Sequence, residues 1–137
     1  MFVLDSSVTM AWCFEDQGNA YTEEVLDSLK HEKAMVPELW CQEITNVLLV
    51  AERKKKIQAT ASGDFIYFLS KLPIQIFDSK SPKIEEDLLN LGRNFQLSAY
   101  DTVYLKLAID LGIPLATRDD ALVKACHKRG VEIFTGH

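Results

Sequence analysis

The feature that most constrains this sequence is an alternation between short apolar runs and longer segments with apolar residues at helical spacing. The predicted strands are FVLD at 2–5, AMVP at 34–37, IQIFD at 74–78, IPLAT at 113–117 and VEIFT at 131–135. The predicted helices span 19–31, 38–55, 57–72, 81–94, 98–112 and 119–130, the fourth starting at Ser81-Pro82 and the last two closed by Gly112 and Gly130. Such an alternation predicts an α/β fold with a parallel sheet and helices on both faces.

Composition limits the size and class of the protein. The 137 residues suit one domain, 1–137, and a hydrophobic content of 47% is enough for a proper core. The formal net charge of -5 argues against coating nucleic acid by charge alone, because such binding is mostly phosphate neutralisation by Lys and Arg. A local contact with nucleic acid stays compatible with this charge.

The cysteines and the N-terminal sequence indicate a compartment. Cys13, Cys41 and Cys126 form no CxxC pair, and three scattered cysteines fit a reducing cytoplasm. The first residues lack the basic start and apolar stretch of a signal peptide, and no apolar run approaches the ~20 residues of a membrane span. We therefore expect a cytoplasmic protein that does not enter a membrane.

Four acids occupy related places in the predicted fold. Asp5 and Asp119 follow the first strand and the strand IPLAT, at carboxyl ends where open α/β sheets bind their ligands. Glu43 lies at the edge of the apolar stripe of its helix, and Asp101 lies three residues into a helix with a buried face. The topology predicts that these four side chains meet on one side of the fold.

Each acid also has a plainer interpretation. Asp5, taken alone, is more readily explained as a cap of the following helix. Glu43 and Asp101 are explained almost as well by the positive end of a helix dipole, and Asp119 and Asp120 open a helix, where acids are common. None of these interpretations accounts for a common location.

Convergence of four carboxylates has an energetic consequence. Two like charges near 4 Å repel by about 4 kcal/mol at an effective dielectric of about 20. Such a cluster must take up protons or bind a cation, and an all-oxygen set without His or Cys selects Mg²⁺ or Mn²⁺. Ions of this kind activate water and stabilise the leaving oxygen in phosphodiester hydrolysis.

The chain resembles the PIN-domain ribonucleases, and most closely the VapC-type toxins of toxin–antitoxin pairs. The matching segments are VLDSSV, PELWCQEITNVL, LSAYDTVYLKLA and GIPLATRDDALVKAC, and the likeness covers essentially the whole chain. The resemblance implies an α/β/α sandwich with a mostly parallel central sheet of four to five strands. It also implies an endoribonuclease dependent on Mg²⁺, for which Mn²⁺ substitutes, that cuts RNA, forms a homodimer and is neutralised by a small antitoxin.

The resemblance assigns roles by position. The expected metal ligands and catalytic residues are Asp5, Glu43, Asp101 and Asp119, with Ser6, Asn46 and Thr117 supporting them through hydrogen bonds. Arg118 is placed to contact a phosphate, and Asp120 is an alternative to Asp119.

Other features have two interpretations each. The segment ERKKK at 52–56 could contact RNA phosphates. The slightly favoured interpretation is a solvated helix end, whose cations suit the helix dipole. The aromatic residues that could stack on bases are Trp12, Phe14 and Trp40. For Trp40, a position in the core is the favoured interpretation. Four apolar residues of the predicted helix at 57–72 either pack in the core or form a dimer or antitoxin surface: Phe65, Tyr67, Phe68 and Leu69. Solvated surface positions are expected for His31, His127 and His137.

Three other functions compete. A phosphoacceptor signalling domain needs an adjacent acidic pair after the first strand, and a phosphatase with a nucleophilic Asp needs DxD there, whereas this chain has DSS. A catalytically silent PIN-like RNA-binding or assembly module is the remaining alternative, and the four retained acids speak against it.

Overall fold

The computed structural model describes residues 1–78 and 84–136. The strands are β1 (Phe2–Leu4), β2 (Ala34–Pro37), β3 (Ile74–Phe77) and β4 (Leu115–Ala116). The helices are α1 (Ser6–Ala11), α2 (Ala20–Ser28), α3 (Glu38–Arg53), α4 (Ala59–Ser70), α5 (Glu86–Phe95), α6 (Ala99–Leu111) and α7 (Asp120–Arg129), with a 3-10 helix at Glu15–Gln17.

The sheet has four parallel strands in the order β3-β2-β1-β4. Val3 pairs with Met35 on one side and with Leu115 on the other, so β1 lies in the centre. Helices flank the sheet, and the predicted α/β fold with a parallel sheet is confirmed. Because all strands run the same way, their carboxyl ends share one edge, at which Asp5 follows β1 and Thr117 follows β4.

One predicted element is missing from the structure, and one helix of the structure was not predicted. The predicted last strand at 131–135 is wrong: this segment makes an isolated bridge between Ile133 and Leu115, and Phe134 turns inward to stack on Phe2 with ring centroids 3.9 Å apart. The short helix α1 was not predicted, because its six residues include β-branched and hydroxyl side chains that favour other conformations. The predicted helix start at Ser81-Pro82 lies outside the described residues.

The core forms around β1, whose three residues are fully buried. Trp40 of α3 is buried and its indole N–H donates to Thr9 Oγ1 over 3.0 Å, which confirms the core interpretation of this tryptophan. On α4, Phe65 and Leu69 are buried while Tyr67 and Phe68 are exposed, so this helix divides between core and surface. Among the described residues, no helix combines the length and the apolar character needed to cross a membrane.

Candidate functional site

Asp5 is a buried carboxylate at the end of the central strand. Its side chain is 3% exposed, and Oδ2 accepts hydrogen bonds from Ser7 Oγ and Thr117 Oγ1, each at 2.7 Å. Asp5 occupies the N-cap position of α1, but its side chain makes no capping hydrogen bond. The helix-cap interpretation therefore does not account for this carboxylate, which is instead held by two hydroxyl groups.

These hydroxyls tie the end of β1 to the segment after β4. Thr117 Oγ1 accepts from the backbone N–H of Asp119 at 3.1 Å, and Ser7 Oγ accepts from the backbone N–H of Arg118 at 3.1 Å. Thr117 thus has the supporting position expected from the sequence. The second hydroxyl on Asp5 belongs to Ser7. The prediction had named the adjacent Ser6 for a supporting role.

Asp119 combines two roles in the structure. Its Oδ1 accepts a hydrogen bond from the N–H of Leu122 at 2.9 Å and so caps α7. Its negative charge also contributes to raising the pKa of Asp5 and Asp101. The neighbouring Asp120 is the first residue of α7 and is exposed, and its charge is not among the causes of either pKa shift.

Glu43 is half-buried on α3 and is bound by a tyrosine from α6. The hydroxyl of Tyr104 donates to Glu43 Oε1 over 2.6 Å, and Tyr104 itself is fully buried. Burial, followed by the hydrogen bond to Glu43, raises the pKa of Tyr104 above its ordinary value. The sequence pattern predicts a buried face for this helix but not this contact, although a buried tyrosine hydroxyl usually needs a partner.

Asp101 lies in the first turn of α6, where Ser98 Oγ caps the helix by accepting from the Asp101 N–H at 3.1 Å. Burial raises the pKa of Asp101 to about 6, and the negative charges of Asp119, Asp5 and Glu43 add to the effect. Burial also raises the pKa of Asp5, helped by the charges of Glu43 and Asp119 and opposed by the hydrogen bonds from Ser7 and Thr117. Asp101 therefore lies within electrostatic reach of the other three acids, and Asp5 within reach of Glu43 and Asp119.

The donor chemistry of this cluster suits a hard cation, since the groups are carboxylates and hydroxyls. In the part of the chain that the structure describes, however, no three Asp, Glu, His or Cys side chains are gathered closely enough to hold a metal ion. Glu43, Asp5 and Asp119 are each engaged by donors of the protein itself. The set fits a metal in its chemistry, because these bonds use one oxygen of each carboxylate and leave the second oxygen as a ligand for an ion.

Asn46 and Arg118 lie at the margin of the cluster. Asn46 is exposed one turn beyond Glu43 on α3, and within 1–78 and 84–136 no hydrogen bond joins it to an acid. Arg118 is exposed, and its guanidinium Nη1 donates to the carbonyl of Gln17 at 2.5 Å. This bond holds the arginine between the acids and the segment that follows α1.

Comparison with known proteins identifies the family. The PIN domain family model matches residues 2–128, so the chain belongs to the PIN domain family, whose members are usually nucleases. No curated protein matches the chain.

Two solved structures share the fold. The crystal structure of PAE2754 from Pyrobaculum aerophilum is 24% identical, with a TM-score of 0.70 over 90% of this chain and 84% of that chain. The crystal structure of FitAcB from Neisseria gonorrhoeae is 19% identical, with a TM-score of 0.64 over 99% of this chain and 98% of that chain. At these identities the likeness supports the architecture of the sheet and its flanking helices.

Proposed function

We propose that this PIN domain is an endoribonuclease that hydrolyses RNA phosphodiester bonds with Mg²⁺, for which Mn²⁺ substitutes. The observation that carries the proposal is the buried carboxylate of Asp5 at the carboxyl end of the central strand, which two hydroxyls hold and whose pKa the charges of Glu43 and Asp119 help to raise. Carboxylates that repel one another are stabilised by a divalent cation. Membership in a family of mostly nucleases supports the same conclusion.

In this proposal each side chain has a defined task. The ligands of the ion are Asp5, Glu43, Asp101 and Asp119. The hydroxyls of Ser7 and Thr117 orient Asp5 through their 2.7 Å hydrogen bonds, and Tyr104 orients Glu43. Ser6 and Asn46 keep their predicted supporting roles, and Arg118 contacts a substrate phosphate.

When bound, the ion activates a water molecule and offsets charge on the leaving oxygen. The protein contributes a carboxylate that accepts the proton of the attacking water. Arg118 is held over the segment after α1 by its bond to the Gln17 carbonyl, and its charge draws the RNA backbone towards the acids. No serine nucleophile is required for this hydrolysis.

The biological role we propose is that of the toxin in a toxin–antitoxin pair, acting as a cytoplasmic homodimer and neutralised by a small antitoxin. The support is the resemblance to VapC-type toxins along essentially the whole chain. Exposed apolar side chains on α4 and β3 offer surface for such partners: Ile66, Tyr67, Phe68, Ile76 and Phe77. A short partner gene immediately upstream, whose product co-purifies with this chain, is the expected finding.

Cleavage of RNA by purified protein, free of any antitoxin, tests the enzymatic part. We expect cleavage with Mg²⁺ or Mn²⁺, none with EDTA, and none for Asp101→Asn, whose fold is retained. Asp110→Asn is the matched control, since Asp110 lies on the same helix, is exposed and pairs with Lys106 instead of the acids. Undiminished cleavage in EDTA contradicts the metal requirement.

A second candidate is a catalytically silent PIN-like module that binds RNA or assembles with partners. The observation that favours it is the absence, among the described residues, of three acids close enough to hold an ion. This module predicts RNA binding without cleavage under every metal condition.

A further inference from the structure

A groove of about 310 Å³ opens beside the acidic cluster, between α3 and the segment that follows α1. Its apolar lining includes Phe14, Val47 and Val50, and Lys54 and Lys56 lie at the end of α3. An apolar floor with an aromatic ring and flanking cations is the combination that single-stranded nucleic acid binds, because bases stack on rings and phosphates pair with lysines.

The cations at the end of α3 form no salt bridge with the part of the chain that the structure describes. Residues 53–56 are Arg-Lys-Lys-Lys and all four are exposed. The salt bridges among residues 1–78 and 84–136 involve none of them. Glu52, the adjacent acid, accepts a hydrogen bond from Ser62 at 2.7 Å and so is engaged elsewhere. Four cations are therefore concentrated at one helix end of a chain of net charge -5, and no acid of the described ranges pairs with them.

The backbone directs two of these lysines into the same groove. Lys55 has a left-handed φ of 59°, which is uncommon for a residue other than glycine. The N–H of Lys56 donates to the carbonyl of Ala51 at 2.9 Å and the N–H of Lys55 to that of Glu52 at 3.0 Å, so the chain turns back at the helix end. Lys54 and Lys56 both line the groove as a result, whereas Lys55 does not.

The groove borders the proposed active site through two of its lining residues, Asn46 and Gln17. Asn46 lines the groove and lies one turn from Glu43 on α3. Gln17 also lines the groove, and its carbonyl accepts the hydrogen bond from Arg118. A strand whose phosphate contacts Arg118 therefore has its adjoining nucleotides beside Phe14 and the two lysines.

We propose that this groove, defined by Phe14, Asn46, Val47, Lys54 and Lys56, is a subsite for the single-stranded RNA next to the bond that is cut. A base lies against Phe14 and the apolar floor, and the neighbouring phosphates pair with Lys54 and Lys56. The subsite rests on the proposed nuclease function for its substrate. Asp16 also lines the groove, and its charge opposes the RNA and limits the affinity.

The test is a binding titration of a fluorescein-labelled oligouridine of about eight nucleotides, in EDTA so that hydrolysis does not occur. We expect Lys54→Ala/Lys56→Ala to weaken binding about tenfold and to reduce the slope of log affinity against log salt by about 1.4, at about 0.7 per lost phosphate contact. Phe14→Leu is expected to weaken binding about tenfold with no change in that slope, since it removes stacking and keeps an apolar side chain. Asp16→Asn is expected to strengthen binding.

The matched control is Lys33→Ala/Lys128→Ala, which removes the same charge from exposed positions before β2 and at the end of α7. An equal loss of affinity in this control, or unchanged affinity in the groove variants, overturns the subsite. The subsite is also overturned by a groove variant that keeps its RNA affinity but no longer co-purifies with a protein partner, because the groove then binds that partner. RNA binding that depends on the groove, without any cleavage in Mg²⁺ or Mn²⁺, removes the nuclease proposal and leaves the groove as an RNA-binding site.

Discussion

The hydroxyl of Tyr104 on α6 donates a hydrogen bond of 2.6 Å to Glu43 Oε1 on α3. This contact joins residues 61 positions apart in the sequence and connects two of the helices that carry the acids. Tyr104 is fully buried, so its ring is fixed by the core while its hydroxyl reaches the edge of the site. The position of Glu43 is thus set by the packing of α6.

Replacement of Tyr104 by phenylalanine removes this hydroxyl and keeps the ring. We expect Tyr104→Phe to retain the fold, to lower the free energy of unfolding by about 1–2 kcal/mol and to weaken metal binding, because Glu43 is no longer held in place. Urea unfolding and a Mn²⁺ titration measure the two effects. Tyr100→Phe is the control, since Tyr100 lies on the same helix and is 62% exposed. Similar behaviour of both variants would show that the hydrogen bond has no organising role.

The raised pKa values predict how stability depends on pH without metal. Burial and three neighbouring acids raise the pKa of Asp101 to about 6, from about 4 in an unfolded chain. Between these values the folded protein holds a proton that the unfolded chain has lost, so ionisation of Asp101 lowers the free energy of unfolding as pH rises.

Asp101→Asn removes this dependence. In EDTA, we expect the variant to gain stability relative to the original protein as pH rises from about 4 to about 7. Thermal unfolding of both proteins across this range measures the difference, and taking the difference cancels the titration of groups that do not interact with Asp101. A constant difference across the range would mean that Asp101 titrates normally.

The sequence predicted the strands better than the short and terminal elements. Strands β1, β2 and β3 lie within the predicted runs, because an apolar run bounded by polar residues has few alternatives in an α/β chain. The segment at 131–135 has a similar pattern, yet Phe134 is used to pack on Phe2 and the ladder stops after one bridge. Tertiary packing decided this element, and local pattern does not encode it.

The candidate site likewise has features that the sequence predicts and features that it does not. The edge at which Asp5 and Thr117 lie could be predicted, since the carboxyl ends of parallel strands share one edge of the sheet. The hydrogen-bond partners could not, because Thr117 lies 112 residues from Asp5 and the choice between Ser6 and Ser7 depends on the orientation of one helical turn. Long-range contacts of this kind are set by the folded structure.

Addition of a divalent cation should stabilise the protein through the acidic cluster. At a Mn²⁺ concentration about 100 times the dissociation constant, mass action contributes about 2.7 kcal/mol, which raises the melting temperature by on the order of 10 °C. Differential scanning fluorimetry with Mn²⁺ and then excess EDTA measures the shift and its reversal. We expect Asp101→Asn to lose most of the shift and the control Asp110→Asn to keep it, and equal shifts in both would place the ion elsewhere.

The hydroxyl of Ser7 should stabilise Asp5 chiefly in its charged form. Its 2.7 Å hydrogen bond lowers the pKa of Asp5 against the raising effect of burial. Ser7→Ala should therefore lower the free energy of unfolding by about 1.5–3 kcal/mol at pH values where Asp5 is ionised, and by less where it is protonated. Urea unfolding in EDTA at several pH values tests this, with Ser70→Ala as the control, because the exposed Ser70 donates to the Tyr67 carbonyl at the end of α4. A loss that is independent of pH, or as large for Ser70→Ala, would show that Ser7 does not act through the charge of the Asp5 carboxylate.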